Sequence, residues 1–252
     1  MFTSIKNLFG KKKENVPLVD LSVIGTDMHS HFIPCIDDGS DSLETSISLI
    51  KGLVELGYKH IITTPHVMSD HYPNSSEAIL NGLKTVQERL HTEGVNVTLH
   101  AAAEYFMDEY FLNLLNTQPL LTLWGNRVLV EMSFYSPPRG WEQYFFKLAV
   151  KGYQPILAHP ERYPYFHKSY VEYREIRENG VALQLNLLSL TGYYGESVKK
   201  TAFRLLDDKL IDFIGTDAHH IKHIETIKNT IKNPDIQRIL STYTFQNAGI
   251  NN

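Results

Sequence analysis

Nine side chains with nitrogen or oxygen donors fall in short motifs along the chain. They are His29 and His31 in DMHSH, Asp38 in IDDG, His66 in TTPH, Glu104 in AAAE, Glu131 in LVEM, His159 in LAHPER, and Asp217 and His219 in GTDAHH. His29 and His31 are two residues apart, as are Asp217 and His219. In a strand, residues i and i+2 face the same way, so each pair can present both side chains to one site. A lone histidine closing an apolar run is usually a satisfied core residue. Nine hard donors are different, because carboxylates gathered in a poorly solvated place repel one another unless a cation neutralises them. The set reads as a metal centre with no thiolate unless Cys35 supplies one, and it suits Mn²⁺, Fe²⁺, Zn²⁺ or Co²⁺.

Two neighbours of these donors have competing readings. Ile36-Asp37-Asp38-Gly39 is either a turn leading into a helix or the source of a ligand, and its place beside the histidine pair favours Asp38 as a ligand. Glu161-Arg162 is either a surface ion pair or, through Arg162, a clamp for phosphate, whose oxygens a guanidinium engages two at a time. The second is favoured by its position three residues beyond His159. His60, His71, His91, His100, His167, His220 and His223 lack such placement and read mostly as surface residues.

Donors so far apart in sequence need a scaffold. Short apolar runs at residues 23–28, 60–64, 97–102, 127–130, 155–158, 182–185 and 213–215 read as buried parallel strands. Between them lie helical patterns. Asp41 and Glu44 make a capping box ahead of the stripe Leu43, Ile47, Ile50 and Val54, which Gly57 closes. Residues 76–91, 140–151 and 197–209 carry similar patterns. The polar residues that follow the strands (His31, His66, Glu104, Glu131, His159, Asn186 and Asp217) are 27 to 38 residues apart, about one βα unit of roughly 30 residues. Seven such units predict a β/α barrel with its chemistry at the carboxyl ends of the strands. Residues 21–252 are expected to form this single domain, behind a flexible basic tail of residues 1–20.

Composition excludes several classes. With 42% hydrophobic residues in 252, the chain can bury a core, and no apolar run reaches the roughly 18 residues of a membrane span. The 24 basic and 28 acidic residues leave a net charge of −4, which argues against nucleic-acid binding. The single cysteine excludes an internal disulfide and fits a cytoplasmic location. The tail has Phe2, Ile5, Leu8 and Phe9 on one possible helix face beside Lys6 and Lys11, Lys12 and Lys13. Those lysines are too few for stable anchoring, so a solvated tail is expected in preference to peripheral membrane contact.

DMHSHFIPCIDDG, TTPH, AHPERY and GTDAHH, in that order, resemble the polymerase and histidinol phosphatase (PHP) superfamily. Its signature is an HxH pair opening a seven-stranded barrel that closes on a DxH pair. Within it, the motifs are most similar to the metal-dependent bacterial protein-tyrosine phosphatases of capsule and exopolysaccharide operons. The resemblance spans about residues 26–222. It implies a distorted seven-stranded parallel (β/α)7 TIM-like barrel and a trinuclear site, usually most active with manganese. His29, His31, Glu104 and Asp217 would hold one ion. Glu104 would bridge to a second held by Glu131 and His159, and Asp38, His66 and His219 would hold the third.

The resemblance further implies phosphotyrosine hydrolysis in which a metal-bridging hydroxide attacks phosphorus in line, with His159, Asp217 and Arg162 as the catalytic side chains. Arg162 would bind phosphate. Relatives often carry a second arginine after the DxH pair, where this chain has His220-Ile221-Lys222-His223, so Lys222 is expected to act there as a point charge. Cys35 lacks the glycine-rich anion cradle of a thiolate phosphatase. The implied partner is an autophosphorylating tyrosine kinase that regulates polysaccharide export; monomer and oligomeric ring stay open. Histidinol-phosphate phosphatase is the main alternative, ahead of a metal-dependent amidohydrolase and a non-enzymatic regulator. Aromatics near the expected mouth, among them Tyr105, Phe134, Tyr135, Trp141, Tyr163, Phe166, Tyr193 and Tyr194, read mostly as packing, with some, Tyr163 and Tyr194 for instance, forming a rim for a phosphotyrosine ring.

Overall fold

A computed structural model describes residues 18–250, so most of the expected tail lies outside the described residues. Nine strand segments follow in order: β1 (Thr26–Asp27), β2 (His60–Thr63), β3 (His66–Val67), β4 (Thr98–Ala101), β5 (Glu104–Phe106), β6 (Arg127–Glu131), β7 (Gln154–Ala158), β8 (Ala182–Asn186) and β9 (Phe213–Gly215). All their pairings are parallel, in the orders β1-β2-β4 and β3-β5-β6-β7-β8-β9. β2 and β3 are one bent path interrupted at Thr64-Pro65, where proline has no N–H to give a ladder. β4 and β5 are a second such path, broken at Ala102-Ala103. Counted as paths, the strands number seven. The first and last meet through a parallel bridge between Ser30 and Ala218, with Asp217 N donating to His29 O at 2.8 Å and His31 N to Ala218 O at 3.0 Å. The result is a distorted (β/α)7 barrel.

The strand period sorts side chains into two layers. Along β6, Val128 and Val130 join the large cluster under the helices, whereas Leu129 joins Met28, Ile62, Ala102, Ile156, Ala158 and Phe213 inside the barrel. Glu131, two residues past Leu129, falls on the interior face at the rim. Outside, the helix Leu43–Glu55 buries Ile47, Leu49, Ile50 and Leu53.

Two local expectations shift. Val23 belongs to a 3-10 turn, Leu21–Val23, and Gly25 at φ +85° turns the chain before β1, so the first strand is shorter than expected. The cap of helix Leu43–Glu55 is Ser42, whose side chain accepts from Thr45 N, while Asp41 accepts from the Thr45 hydroxyl. Near the expected bounds, helices span Ser76–Thr92, Trp141–Val150 and Glu196–Asp207. Among the described residues no helix is long and apolar enough to cross a membrane.

Candidate metal centre

His29 and His31 extend from β1, His66 opens β3, Glu104 opens β5, Glu131 closes β6, His159 follows β7, and Asp217 and His219 follow β9. These residues and Asp38 converge at the rim. Glu104 is the hub: Oε2 lies 3.2 Å from His29 Nε2, 3.5 Å from His31 Nε2 and 3.2 Å from His66 Nδ1, and Oε1 lies 3.0 Å from His159 Nε2. Glu131 Oε1 is 3.0 Å from His66 Nδ1, and Oε2 is 3.8 Å from His159 Nε2. Asp38 Oδ1 stands 3.5 Å from both His66 Nε2 and His219 Nε2. His159 at φ 35° and Asp217 at φ 49° hold left-handed backbone conformations, a strain that clusters at functional sites.

Three imidazoles are aimed by their second nitrogen. His31 Nδ1 contacts Asp37 Oδ2 at 2.8 Å, His29 Nδ1 contacts Gln184 Oε1 at 2.8 Å, and His219 Nδ1 contacts Asp217 O at 2.9 Å. Each bond leaves Nε2 for the cluster, as the outer partners of metal-bound histidines do. Asp37 and Gln184 escape a sequence reading limited to residues at strand ends. For Gln184 the available signal was a polar residue inside the apolar run Ala182–Asn186, on the same face as Asn186. Asp37, read only as part of a turn, is the buried carboxylate of that loop and also accepts from His66 N at 3.1 Å.

Donor chemistry and burial fit a metal. Glu104 Oε2 and His66 Nδ1 are buried and close together, yet neither makes a hydrogen bond. Buried polar atoms seldom go without a partner, whereas ligands arranged around a cation face one another in this way. Charge follows the same logic. Burial would raise the Glu104 carboxyl, but the His29 and His66 imidazoles and the hydrogen bond with His159 hold it well below the carboxylate range. Burial likewise opposes ionisation of Asp217, and His29, His219, His31 and Arg162 overcome it. Against the cost of burial, Glu131 and Glu104 push His66 up to about 9. Glu104 and Asp217 thus stay anionic because the imidazoles beside them carry positive charge, the role a bound cation would take over.

Arg162 stands at the edge of this cluster. Its Nη1 donates to Asp217 Oδ2 at 2.8 Å, and Asn186 Nδ2 donates to the same oxygen at 2.8 Å. Glu161 is no surface partner: it is fully buried and accepts from Asn186 N at 3.0 Å and Ser189 Oγ at 2.6 Å. Lys222 lies exposed in helix Ile221–Thr230 and makes no ion pair among the described residues. Cys35 is outside the cluster, with its Sγ donating to Asp41 O at 2.9 Å.

Other expectations fail on burial. Tyr163 is a core residue, its hydroxyl donating to Ala158 O and accepting from Met132 N, so it cannot form a rim. Tyr105, Trp141 and Phe166 are buried too, while Phe134, Tyr135 and Tyr193 are exposed. His223 is not a surface residue: it is buried and its Nδ1 accepts from His219 N.

A family model described as capsular polysaccharide synthesis, CpsB/CapC, matches residues 25–240. Tyrosine-protein phosphatase YwqE of Bacillus subtilis (strain 168) is 33% identical over 207 residues, covering 78% of each chain. Tyrosine-protein phosphatase CpsB of Streptococcus pneumoniae is 26% identical over 201 residues, 77% of this chain and 83% of that one. A chain from the crystal structures of YwqE from Bacillus subtilis and CpsB from Streptococcus pneumoniae, described as unique metal-dependent tyrosine phosphatases, superposes with a TM-score of 0.75. It is 28% identical, and the match covers 87% of this chain and 96% of that chain.

Proposed function

The chain belongs to the CpsB/CapC family of capsular polysaccharide synthesis, and from that premise we propose that it is a metal-dependent protein-tyrosine phosphatase. The observation that carries this reading is nine His, Asp and Glu donors converging beside the Arg162 guanidinium. Relatives named as tyrosine phosphatases favour it over a histidinol-phosphate phosphatase. Its substrate is the phosphotyrosine of a bacterial tyrosine kinase that regulates capsule or exopolysaccharide synthesis, and its place is the cytoplasm.

Three manganese ions suit the donor set: one among His29, His31, Glu104 and Asp217, one among Glu104, Glu131 and His159, and one among Asp38, His66 and His219. Donors within the last two groups lie 3.0–3.8 Å apart, and His66 Nδ1, 3.0 Å from Glu131 Oε1 and 3.2 Å from Glu104 Oε2, stands equally close to the second group, so the division itself rests on the family resemblance. Divalent ions held there would supply Lewis acidity to the phosphoryl oxygens and would lower the pKa of water toward neutrality. The chain's own residues do the rest. Asp37 and Gln184 keep His31 and His29 turned inward, and Asn186 with Arg162 steadies Asp217. Arg162 offers its remaining N–H groups to the phosphoryl oxygens, which spread charge in the transition state. Lys222, exposed and in no ion pair among the described residues, adds a point charge. A phenol with a pKa of about 10 leaves more readily than an alkanol, so no dedicated general acid is assigned.

The test is phosphate release by manganese-reconstituted protein from a phosphotyrosyl peptide, a phosphoseryl peptide and histidinol phosphate, with chelated controls. Chelator-sensitive preference for phosphotyrosine is expected. Preference for histidinol phosphate, or turnover that survives chelation, overturns the reading.

A further inference from the structure

Arg162 ends the short turn Pro160–Arg162, and Nη1 is bonded to Asp217 Oδ2 at 2.8 Å. That one bond leaves the guanidinium able to hinge about it. Two aromatic rings restrict the hinge: Cζ lies 4.4 Å from the Phe134 ring centroid and 4.2 Å from that of Tyr194. The rings make no contact with each other among the described residues, so each meets the guanidinium independently. Each is also tied to the rim. Phe134 is 5.4 Å from the His159 ring, and Tyr194 Oη accepts from Asn186 Nδ2 at 3.2 Å. Phe134 is 37% exposed and rests on one side against the buried Tyr163 ring at 5.8 Å, so it spans the gap between the core and the guanidinium.

We propose that Phe134 and Tyr194 are positioning residues that fix the plane of Arg162, so that its unbonded N–H edge meets a phosphoryl group already oriented. The inference rests on the reading of Arg162 as the phosphate ligand. A guanidinium binds phosphate through a planar fork, and a fork held in place loses less rotational freedom on binding. Ring faces are suited to the task, because they attract the cation without taking any of its N–H groups.

The experiment uses the full chain loaded with manganese and compares Phe134→Leu, Tyr194→Leu and Tyr194→Phe. Binding of inorganic phosphate is measured by calorimetry, KM and kcat with a phosphotyrosyl peptide, and manganese content and melting temperature alongside. Each leucine variant should weaken phosphate binding and raise KM by roughly three- to tenfold with bound manganese unchanged. Tyr194→Phe, which keeps the ring, should stay close to wild type. In an Arg162→Ala background neither leucine substitution should add to the loss. Leucine variants that bind phosphate like wild type, or that lose as much without Arg162, overturn the proposal. The two variants are read separately, so one that fails to fold leaves the other decisive. Wild-type protein that neither binds phosphate nor hydrolyses phosphotyrosine overturns the underlying reading. Wild-type activity with unaffected leucine variants overturns the clamp alone.

Discussion

Asp217 turns its two oxygens to different partners. Oδ1 faces His29 at 3.3 Å, His31 at 3.5 Å and His219 at 3.4 Å, while Oδ2 takes hydrogen bonds from Arg162 and Asn186. Replacing it removes a donor from the cluster and leaves Arg162 without its anchor. Asp217→Ala is expected to lower phosphotyrosine turnover by more than about a hundredfold and to reduce bound metal, read by elemental analysis. Full turnover in a folded Asp217→Ala protein would sink the ligand assignment. Gln184 acts one step further out, through His29 Nδ1. Gln184→Leu should cost about 10- to 100-fold in metal affinity while the fold survives, as losses of outer partners do. The two residues also mark what was legible in the sequence. Asp217 could be found because few residue types bind a metal and it repeats the spacing of the histidine pair. Gln184 offered only a polar break in an apolar run, because an amide within a strand has no chemistry of its own until the fold sets it against a histidine.

The loop between His31 and Asp38 depends on a helix it does not belong to. Gly82, within the helix Ser76–Thr92, lies under Ile33, and a Cβ there would sit 2.3 Å from Ile33 Cγ2. Ile33 is buried and its γ2 methyl sits on the branched Cβ, so it cannot swing aside as the end of a long chain would. Gly82→Ala gains about 1 kcal/mol of helix propensity but overpacks a filled contact at ~1–3 kcal/mol. We expect a net loss of stability in chemical denaturation together with weaker metal binding, since the displaced loop carries Asp37 and Asp38. A stabilised variant with unchanged metal affinity would show that helix and ligand loop are not coupled. Helix positions were legible from periodicity and from Gly57 and Gly152, but the cap at Ser42 was not. Asp41, Ser42 and Thr45 all offer oxygens there, and only the backbone decides which one receives the amide.

At the scale of the whole molecule, a parallel ring is only as sound as its last joint. The seven-unit rhythm announces a barrel, but it says nothing of how a first strand of two residues holds the last. At the rim the joint is the bridge between Ser30 and Ala218. Below it, Thr216 donates through N and Oγ1 to the buried Asp27 carboxylate at 2.9 and 2.8 Å. At the base the C-terminal segment supplies the joint. Asn247, fully buried, accepts from Ile214 N at 2.9 Å and donates to Thr26 O at 2.9 Å and Ile214 O at 2.7 Å. One side-chain amide therefore replaces ladder bonds between β1 and β9. No periodicity could reveal this, because it rests on one residue 32 positions past Gly215. Asn247→Ala strands an N–H donor and two carbonyls in the interior, each costing about 1–3 kcal/mol if left unpaired. A loss of roughly 3 kcal/mol in urea unfolding is expected, with the metal centre at the opposite end intact and turnover per folded molecule unchanged. A variant as stable as wild type would mean that the rim contacts alone hold the ring. Turnover lost before stability would mean instead that strain at the base reaches His29 through Asp27 and Met28, the two residues that separate it from Thr26.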